Sequence, residues 1–249
     1  MNGDDGGVRD VINGIARGAV YTVGEGAANR YRVSDVSGVS GVYSCSVKDG
    51  TRVLLSLTLS VPGRFNCGNA ALASVLALRL GVERETVEGA VRAFAGTKRR
   101  LEPLGRVGES EVYTDYGHHP TEIRSTLRAL KERHPGEPLC LVFQPHQYSR
   151  TIELFDDFVV SLSEPDLVIL TEIYWQRDSG KYVGKVTGED LFKAVAKKAR
   201  SARFVPDKGQ IPRLLEGLGG RCGVVVFMGA GDIDDVARAY ASGGEGRGL

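Results

Sequence analysis

The chain has 249 residues, enough for one large domain or two ordinary ones. Its 32 Lys and Arg stand against 31 Asp and Glu, a formal charge of +1, which excludes a nucleic-acid binder held by a basic excess. With 42% hydrophobic and 25% charged residues, disorder over most of its length is excluded too.

The start, MNGDDGGVRD, is acidic and Gly-rich, the wrong chemistry for a signal peptide, and shows no strand pattern. Residues up to about 60 then read as β-rich. Val20–Val23 and Arg30–Val33 are short β-branched and aromatic runs. Ser44–Asp49 and Arg52–Val61 form a hairpin around Asp49-Gly50, with Leu55, Leu57, Leu59 and Val61 on one face. Residues 67–80 form an Ala/Leu-rich helix closed by Gly81, and 83–94 a second helix stopped at Gly96. A hinge is expected over Gly96–Gly108.

From residue 111 the pattern changes to alternating strands and helices. Strands are expected at 111–114, 139–143, 167–171, 203–205 and 223–228. Leu139–Phe143 and Gly223–Met228 are almost wholly apolar, as strands covered on both faces must be. Helices are expected near 121–133, 151–163, 188–200, 209–217 and 232–241, which predicts a parallel sheet with right-handed crossovers. No run approaches the roughly 18 apolar residues of a membrane-spanning helix. Cys45, Cys67, Cys140 and Cys222 lie far apart without a CxxC pair, so they read as reduced packing residues of a cytoplasmic protein.

Several strings could carry chemistry. No GxxxxGK[ST] occurs, so the backbone cradle and lysine of a P-loop are missing. Met228-Gly-Ala-Gly-Asp-Ile-Asp234 follows a buried strand and precedes a helix; it is either a tight βα turn or a ligand contact at a helix N-terminus. Tyr113–Glu122 (YTDYGHHPTE) brings an acid and two imidazoles to a strand end, where parallel sheets bind ligands. Its His118 and His119 are adjacent and make a poor chelating pair, and no metal ligand is assigned. Phe143–Thr151 (FQPHQYSRT) carries His146 and Arg150, whose planar fork suits a carboxylate or phosphate; a helix-capping loop is the plainer reading. Lys98-Arg99-Arg100 is a solvated face or an anion site. Asn66 and Asn69 open the Ala-rich helix and either cap it or read a polar ligand.

Taken together, "PGRFNCGNA", "FAGTKRRLE", "DYGHHPTEI", "FQPHQYSRT", "FDDFV" and "MGAGDI" resemble the Mur ligases, in the same order, from Asn2 to about Tyr240. YGHHP is most similar to the alanine-adding branch, which joins L-alanine to UDP-N-acetylmuramate in peptidoglycan precursor synthesis. The branch that reattaches recycled tripeptide is the nearest rival. The resemblance implies an α/β chain. Residues 1–98 would be the last part of a central ATP-binding domain without its P-loop, 109–241 a C-terminal Rossmann-like parallel-sheet domain, and 242–249 a disordered tail. It implies an ATP- and Mg2+-dependent acid–amino-acid ligase working through an acyl phosphate. UDP-N-acetylmuramate and L-alanine are the implied substrates, and a separate N-terminal P-loop half a possible partner; neither nucleic acid nor membrane insertion is implied.

Carried over residue by residue, Asn66 and Asn69 match adenine-side amides, Asp115 the acid that meets the ATP ribose, and Arg100 an arginine near the nucleotide phosphates, with a catalytic share. His118 and His119 match the loop facing the cleft, His119 with a catalytic share. His146 and Arg150 match the segment meeting the amino-acid and muramoyl carboxylates, Arg150 being catalytic, and Gly229 to Asp232, with Gly229 and Gly231, the last βα turn. Three residues depart from the family strings: Phe65 for His, Thr114 for Asp and Gln147 for Arg. Beside the ligase reading stand half of a split enzyme and a non-catalytic binding module.

Overall fold

The computed structural model describes residues 1–12, 20–39, 41–176 and 178–245. The chain divides into two compact units, Met1–Gly96 and Thr97–Leu249. Among the described residues no helix is long and apolar enough to cross a membrane.

The first unit opens with a short helix α1 (Gly6–Ile12) and holds a four-stranded sheet of β1 (Val23–Gly24), β2 (Tyr31–Val39), β3 (Val42–Asp49) and β4 (Arg52–Leu59) in that order. β1 runs parallel to β2; β2, β3 and β4 are antiparallel. Period-two alternation turns Val33, Cys45, Val47, Leu55, Leu57 and Leu59 inward. They meet Cys67, Ala71 and Val75 of α2 (Phe65–Arg79) and Val87 of α3 (Arg84–Ala93). Gly50, at φ +59°, makes the β3–β4 turn. The N-terminal segment, without a strand pattern of its own, is nonetheless anchored. Asp4 accepts from the amides of Glu25 and Gly26 at 2.6 and 3.0 Å and from Asn29 Nδ2 at 2.7 Å.

The second unit is built on β5 (Glu102–Val107), β6 (Ser110–Asp115), β7 (Leu139–Phe143), β8 (Leu167–Leu170), β9 (Ala202–Phe204) and β10 (Val224–Met228), in sheet order β5-β6-β10-β7-β8-β9. Five strands are parallel; β5 is an antiparallel edge. The expected parallel sheet is present, with one antiparallel edge strand that the sequence did not reveal: Pro103 and Gly105 hide it, since both break the alternation and the register slips between them. The boundary between the two units falls after Gly96, at one end of the expected hinge, and residues 97–108 belong to the second unit.

Strands β7, β8 and β10 are wholly buried, because helices cover both faces. Leu139, Leu141 and Phe143 pack with α4 (Pro120–Arg133), α6 (Phe155–Leu162) and α7 (Gly188–Ala196). Cys140 and Val142 face α8 (Ile211–Gly217) and α9 (Ile233–Glu245). The single helix expected at 151–163 is two: α5 (Tyr148–Glu153) ends at Leu154, where φ −111° and ψ 23° leave the helical region. Helix α9 takes in Ser242–Glu245 of the expected disordered tail; residues 246–249 lie outside the described ones.

The four cysteines are buried free thiols, two in each unit's core. A hydrogen bond with Cys67 and burial together push the Cys45 thiol up, and Cys222 and burial do the same to Cys140.

Under α4, Tyr113 donates to Glu111 at 3.0 Å and lies 2.9 Å from His134 Nε2. Burial holds His134 below its ordinary value of 6.5, outweighing the pull of Glu111. A base with a lowered folded pKa is favoured neutral by the fold, so its contribution is complete above the ordinary histidine range and is lost as pH falls through it. Unfolding free energy measured in urea is therefore expected to fall between about pH 7.5 and about pH 5, and His134→Gln to flatten that slope. An unchanged slope in the variant would show that His134 is not its source.

Candidate functional site

β10 lies between β6 and β7, so the loops leaving the carboxyl ends of these three strands are neighbours: 115–119, 229–232 and 144–147. This is the position where a parallel α/β sheet opens a crevice.

Asp115 closes β6 with its side chain 5% exposed. Oδ2 accepts from the Leu101 amide at 2.8 Å and Oδ1 from the Gly117 amide at 2.7 Å. Burial nevertheless holds the carboxyl above its ordinary value, the two amides opposing it. Gly117 has no room for a side chain: a Cβ there would lie 2.1 Å from Met228 Cε. The segment that Asp115 captures carries two non-glycine residues in the left-handed region, Arg99 at φ 58° and Leu101 at φ 49°. Arg99 then crosses to the last loop, its Nη2 donating to the carbonyls of Gly229 at 2.7 Å and Gly231 at 2.9 Å, with its guanidinium 4.8 Å from the Tyr116 ring centroid.

The two adjacent histidines do different things. His119 is the N-cap of α4: its Nδ1 accepts from the Thr121 amide at 3.2 Å, which leaves its proton on Nε2, and the residue is exposed. His118 lies with Nδ1 3.1 Å from the Tyr116 carbonyl. A carbonyl only accepts, so Nδ1 carries a proton, and in the neutral ring Nε2 keeps its lone pair. Glu122 receives the amides of His118 at 2.8 Å and His119 at 3.1 Å. Arg100 is more than half exposed, with one long 3.6 Å pair to Glu122.

After β7, Gln147 turns the chain at φ 73° and donates its amide to Tyr174 O at 2.8 Å, while the Tyr174 amide donates to Pro145 O at 2.8 Å. These bonds set the His146 ring on the Tyr174 ring, centroids 5.7 Å apart and 21° between planes. Arg150 Nη1 lies 3.2 Å from both His146 Nδ1 and His146 O. Arginine only donates, so His146 Nδ1 accepts and Nε2 carries the proton. His118 and His146 face each other at 5.7 Å in opposite tautomers. Asp178 accepts from the Ser149 amide at 3.0 Å and hydroxyl at 2.8 Å, tying the loop after β8 to α5.

The carried-over residues Arg100, Asp115, His118, His119, His146, Arg150, Gly229 and Gly231 thus all belong to the second unit, Asp115 at the end of β6, Arg150 in α5 and the others on loops. Asn66 and Asn69 belong to the first, where Asn66 Nδ2 donates to Pro62 O at 2.7 Å and Asn69 Nδ2 to Asn66 Oδ1 at 3.2 Å. The three departures each have a local setting. Thr114 donates to Asp234 at 2.7 Å, where an aspartate would set two carboxylates together. Phe65 lies over Gly63, whose added Cβ would meet the ring at 2.6 Å. Gln147 makes the turn just described. Sequence reasoning passed over Arg99, Gln144, Tyr174 and Asp178. Arg99 was visible only as part of a basic cluster, and the others act through the loops that present them.

Residues 99–231 match the family described as Mur ligase, glutamate ligase domain. The chain belongs to the Mur ligase family. Members of this family are ATP-dependent, amide-bond-forming ligases. The chain is 40% identical over 186 residues to the UDP-N-acetylmuramate–L-alanine ligase of Acidithiobacillus ferrooxidans, covering 75% of this chain and 40% of that one. It is 34% identical over 239 residues to the enzyme of the same name from Burkholderia ambifaria, covering 94% and 51%. Its fold matches the crystal structure of the UDP-N-acetylmuramate-alanine ligase of Thermotoga maritima with a TM-score of 0.74 at 26% identity, covering 91% of this chain and 48% of that one. The chain thus spans about half the length, or less, of these Mur ligases.

Asp115→Asn tests the captured loop. An asparagine offers one acceptor oxygen and must turn its NH2 toward a backbone N–H, leaving a buried amide unsatisfied. Equilibrium unfolding is expected to show a loss of about 1–3 kcal/mol. A variant as stable as the parent would mean that relief from burying the charge offsets the lost bond.

Proposed function

We propose that this chain supplies the amino-acid-handling unit of a cytoplasmic ligase that joins L-alanine to the carboxylate of UDP-N-acetylmuramate in cell-wall precursor synthesis. The observation that carries the reading is the facing pair of imidazoles in opposite tautomers, with Arg150 bonded to one of them. Amide formation needs an acceptor for the ammonium's proton and donors for an anionic oxygen. His118 Nε2 is the acceptor. His146 Nε2–H and the guanidinium of Arg150 are the donors, fixed in place before substrate arrives. ATP, when bound, supplies the phosphoryl group that activates the carboxylate.

The residues here fit that nucleotide only in part. Arg100 is exposed and weakly paired, and suits a phosphate. Asp115 suits a ribose poorly, because it is buried beneath the loops and each of its oxygens already holds a backbone amide. Among the described residues no group of three or more His, Cys, Asp or Glu could hold a metal ion. Mg2+ and the P-loop are assigned to the part of these ligases that this chain does not match, and no step is routed through them here.

Mixing this chain with a P-loop-bearing half is expected to release phosphate only when UDP-N-acetylmuramate, L-alanine and ATP are all present. Failure of every such mixture, with no binding of alanine to the chain, would refute the reading. In the active mixture, Arg150→Ala is expected to lower kcat/KM by about 100-fold or more. His118→Gln is expected to lower kcat by about 10²–10⁴-fold. His119→Ala is expected to leave kcat near wild type and to destabilise α4 by about 0.5–2 kcal/mol. The reverse order of the two histidines would make His119 the base.

A further inference from the structure

Helix α5 is six residues long and carries Arg150, yet little holds it from within. Thr151 is its one buried side chain, and Ile152 is 39% exposed. So short a helix is marginal on its own. Its first amides need acceptors, and the side chain in the capping place, that of Gln147, is not one of them. The acceptor comes from another loop. Asp178, 29 residues after Ser149, receives the Ser149 amide on Oδ2 at 3.0 Å and the Ser149 hydroxyl on Oδ1 at 2.8 Å.

The backbone around Asp178 is laid against α5. The segment from Tyr174 runs in the same direction as that from Pro145, with His146 and Tyr174 in a parallel bridge. The Asp178 amide closes a turn on Trp175 O at 3.2 Å, and Oδ1 also receives the Ser179 amide at 2.8 Å. Burial pushes the Asp178 carboxyl up, but its bonds from Ser149 and Ser179 outweigh this and hold it below its ordinary value. An ionised carboxylate only accepts, so its hold on α5 has a fixed sense. The Arg150 guanidinium bonds back through Nη1 to His146 Nδ1 and His146 O, each at 3.2 Å. Where α5 sits beside the His146 loop therefore decides where the guanidinium points and which nitrogen of His146 keeps its proton.

We propose that Asp178 is a positioning residue for Arg150. It caps α5 from the loop after β8, and that cap sets the guanidinium against the anionic oxygen that develops as the amide bond forms. The catalytic part rests on the ligase reading; the placing of Arg150 by Asp178 does not. A donor misplaced by about 1 Å costs on the order of 100-fold in rate.

In the chain alone, the ring nitrogens of His146 are followed by NMR at about pH 8, where an ordinary imidazole is neutral. The parent is expected to hold its proton on Nε2. Asp178→Ala is expected to show both tautomers in exchange, as is the control Arg150→Ala. Asp178→Asn keeps the geometry by another route: its oxygen accepts the Ser149 amide and its NH2 donates to the Ser149 hydroxyl. It is expected to recover most of the parent signal. In the mixture with a P-loop-bearing half, Asp178→Ala is expected to lower kcat about 10–100-fold with the KM for ATP unchanged. In an Arg150→Ala background the same change is expected to cost less than ~2-fold further, whereas a merely structural role would cost the same factor in both. Should Asp178→Ala not fold, Ser149→Ala, which removes one of the two bonds, replaces it in both assays with a smaller loss expected. A parent that already shows both tautomers, an unchanged tautomer in the variant, or equal losses in the two backgrounds overturns the proposal. If no mixture ligates, the ligase reading falls, while the His146 signal still decides whether Asp178 places Arg150.

Discussion

The buried carboxylate of Asp115 holds the loop edge of the second unit together. It ends β6, and each of its oxygens takes one backbone amide, from Leu101 upstream and from Gly117 downstream. The upstream bond keeps a tight turn with two left-handed non-glycine residues in place. That turn aims Arg99 at the carbonyls of Gly229 and Gly231. The downstream bond sets the loop from which His118 projects. One side chain therefore fixes the relation between the start of the unit, the loop after β6 and the loop after β10. A second tie, from Ser149 to Asp178, does the same for the loops after β7 and β8.

These ties settle proton positions as well as backbone paths. Three histidines sit within one edge, and each has Nδ1 committed to a neighbour whose hydrogen-bonding sense is fixed. A carbonyl faces His118, a backbone N–H faces His119 and a guanidinium faces His146. The donor or acceptor character of each Nε2 follows. An imidazole can serve as acceptor beside one that serves as donor because the loops decide it.

Much of this fold could be read in the residues. The alternation in Arg52–Val61, the apolar runs at 139–143 and 224–228, and the glycines after helices each follow from one local rule, and the structure has them within a few residues. β5 could not be read that way: an edge strand needs no apolar alternation and tolerates Pro103 and Gly105. The break at Leu154 was equally silent, since both sides keep helical composition. For the candidate site, the strings YGHHP and PHQYSR pointed to two loops that the sheet brings to one edge. They could not say which of His118 and His119 faces His146, because adjacent residues differ in direction by geometry that spacing does not record. Nor could they mark Gln144 or Arg99, whose partners lie 88 and 130 residues away.

The place of β10 has a consequence for how this protein is made. β6 and β7 never pair with each other; both pair with a strand that leaves the ribosome after them. Until residue 228 has emerged, the nascent sheet has a gap at its centre, and its apolar strands have no native neighbour on that side. The second unit can close only after its last strand has emerged, through contacts of long sequence separation that form slowly. Of all its strands, the last to be made is the one the assembly waits for.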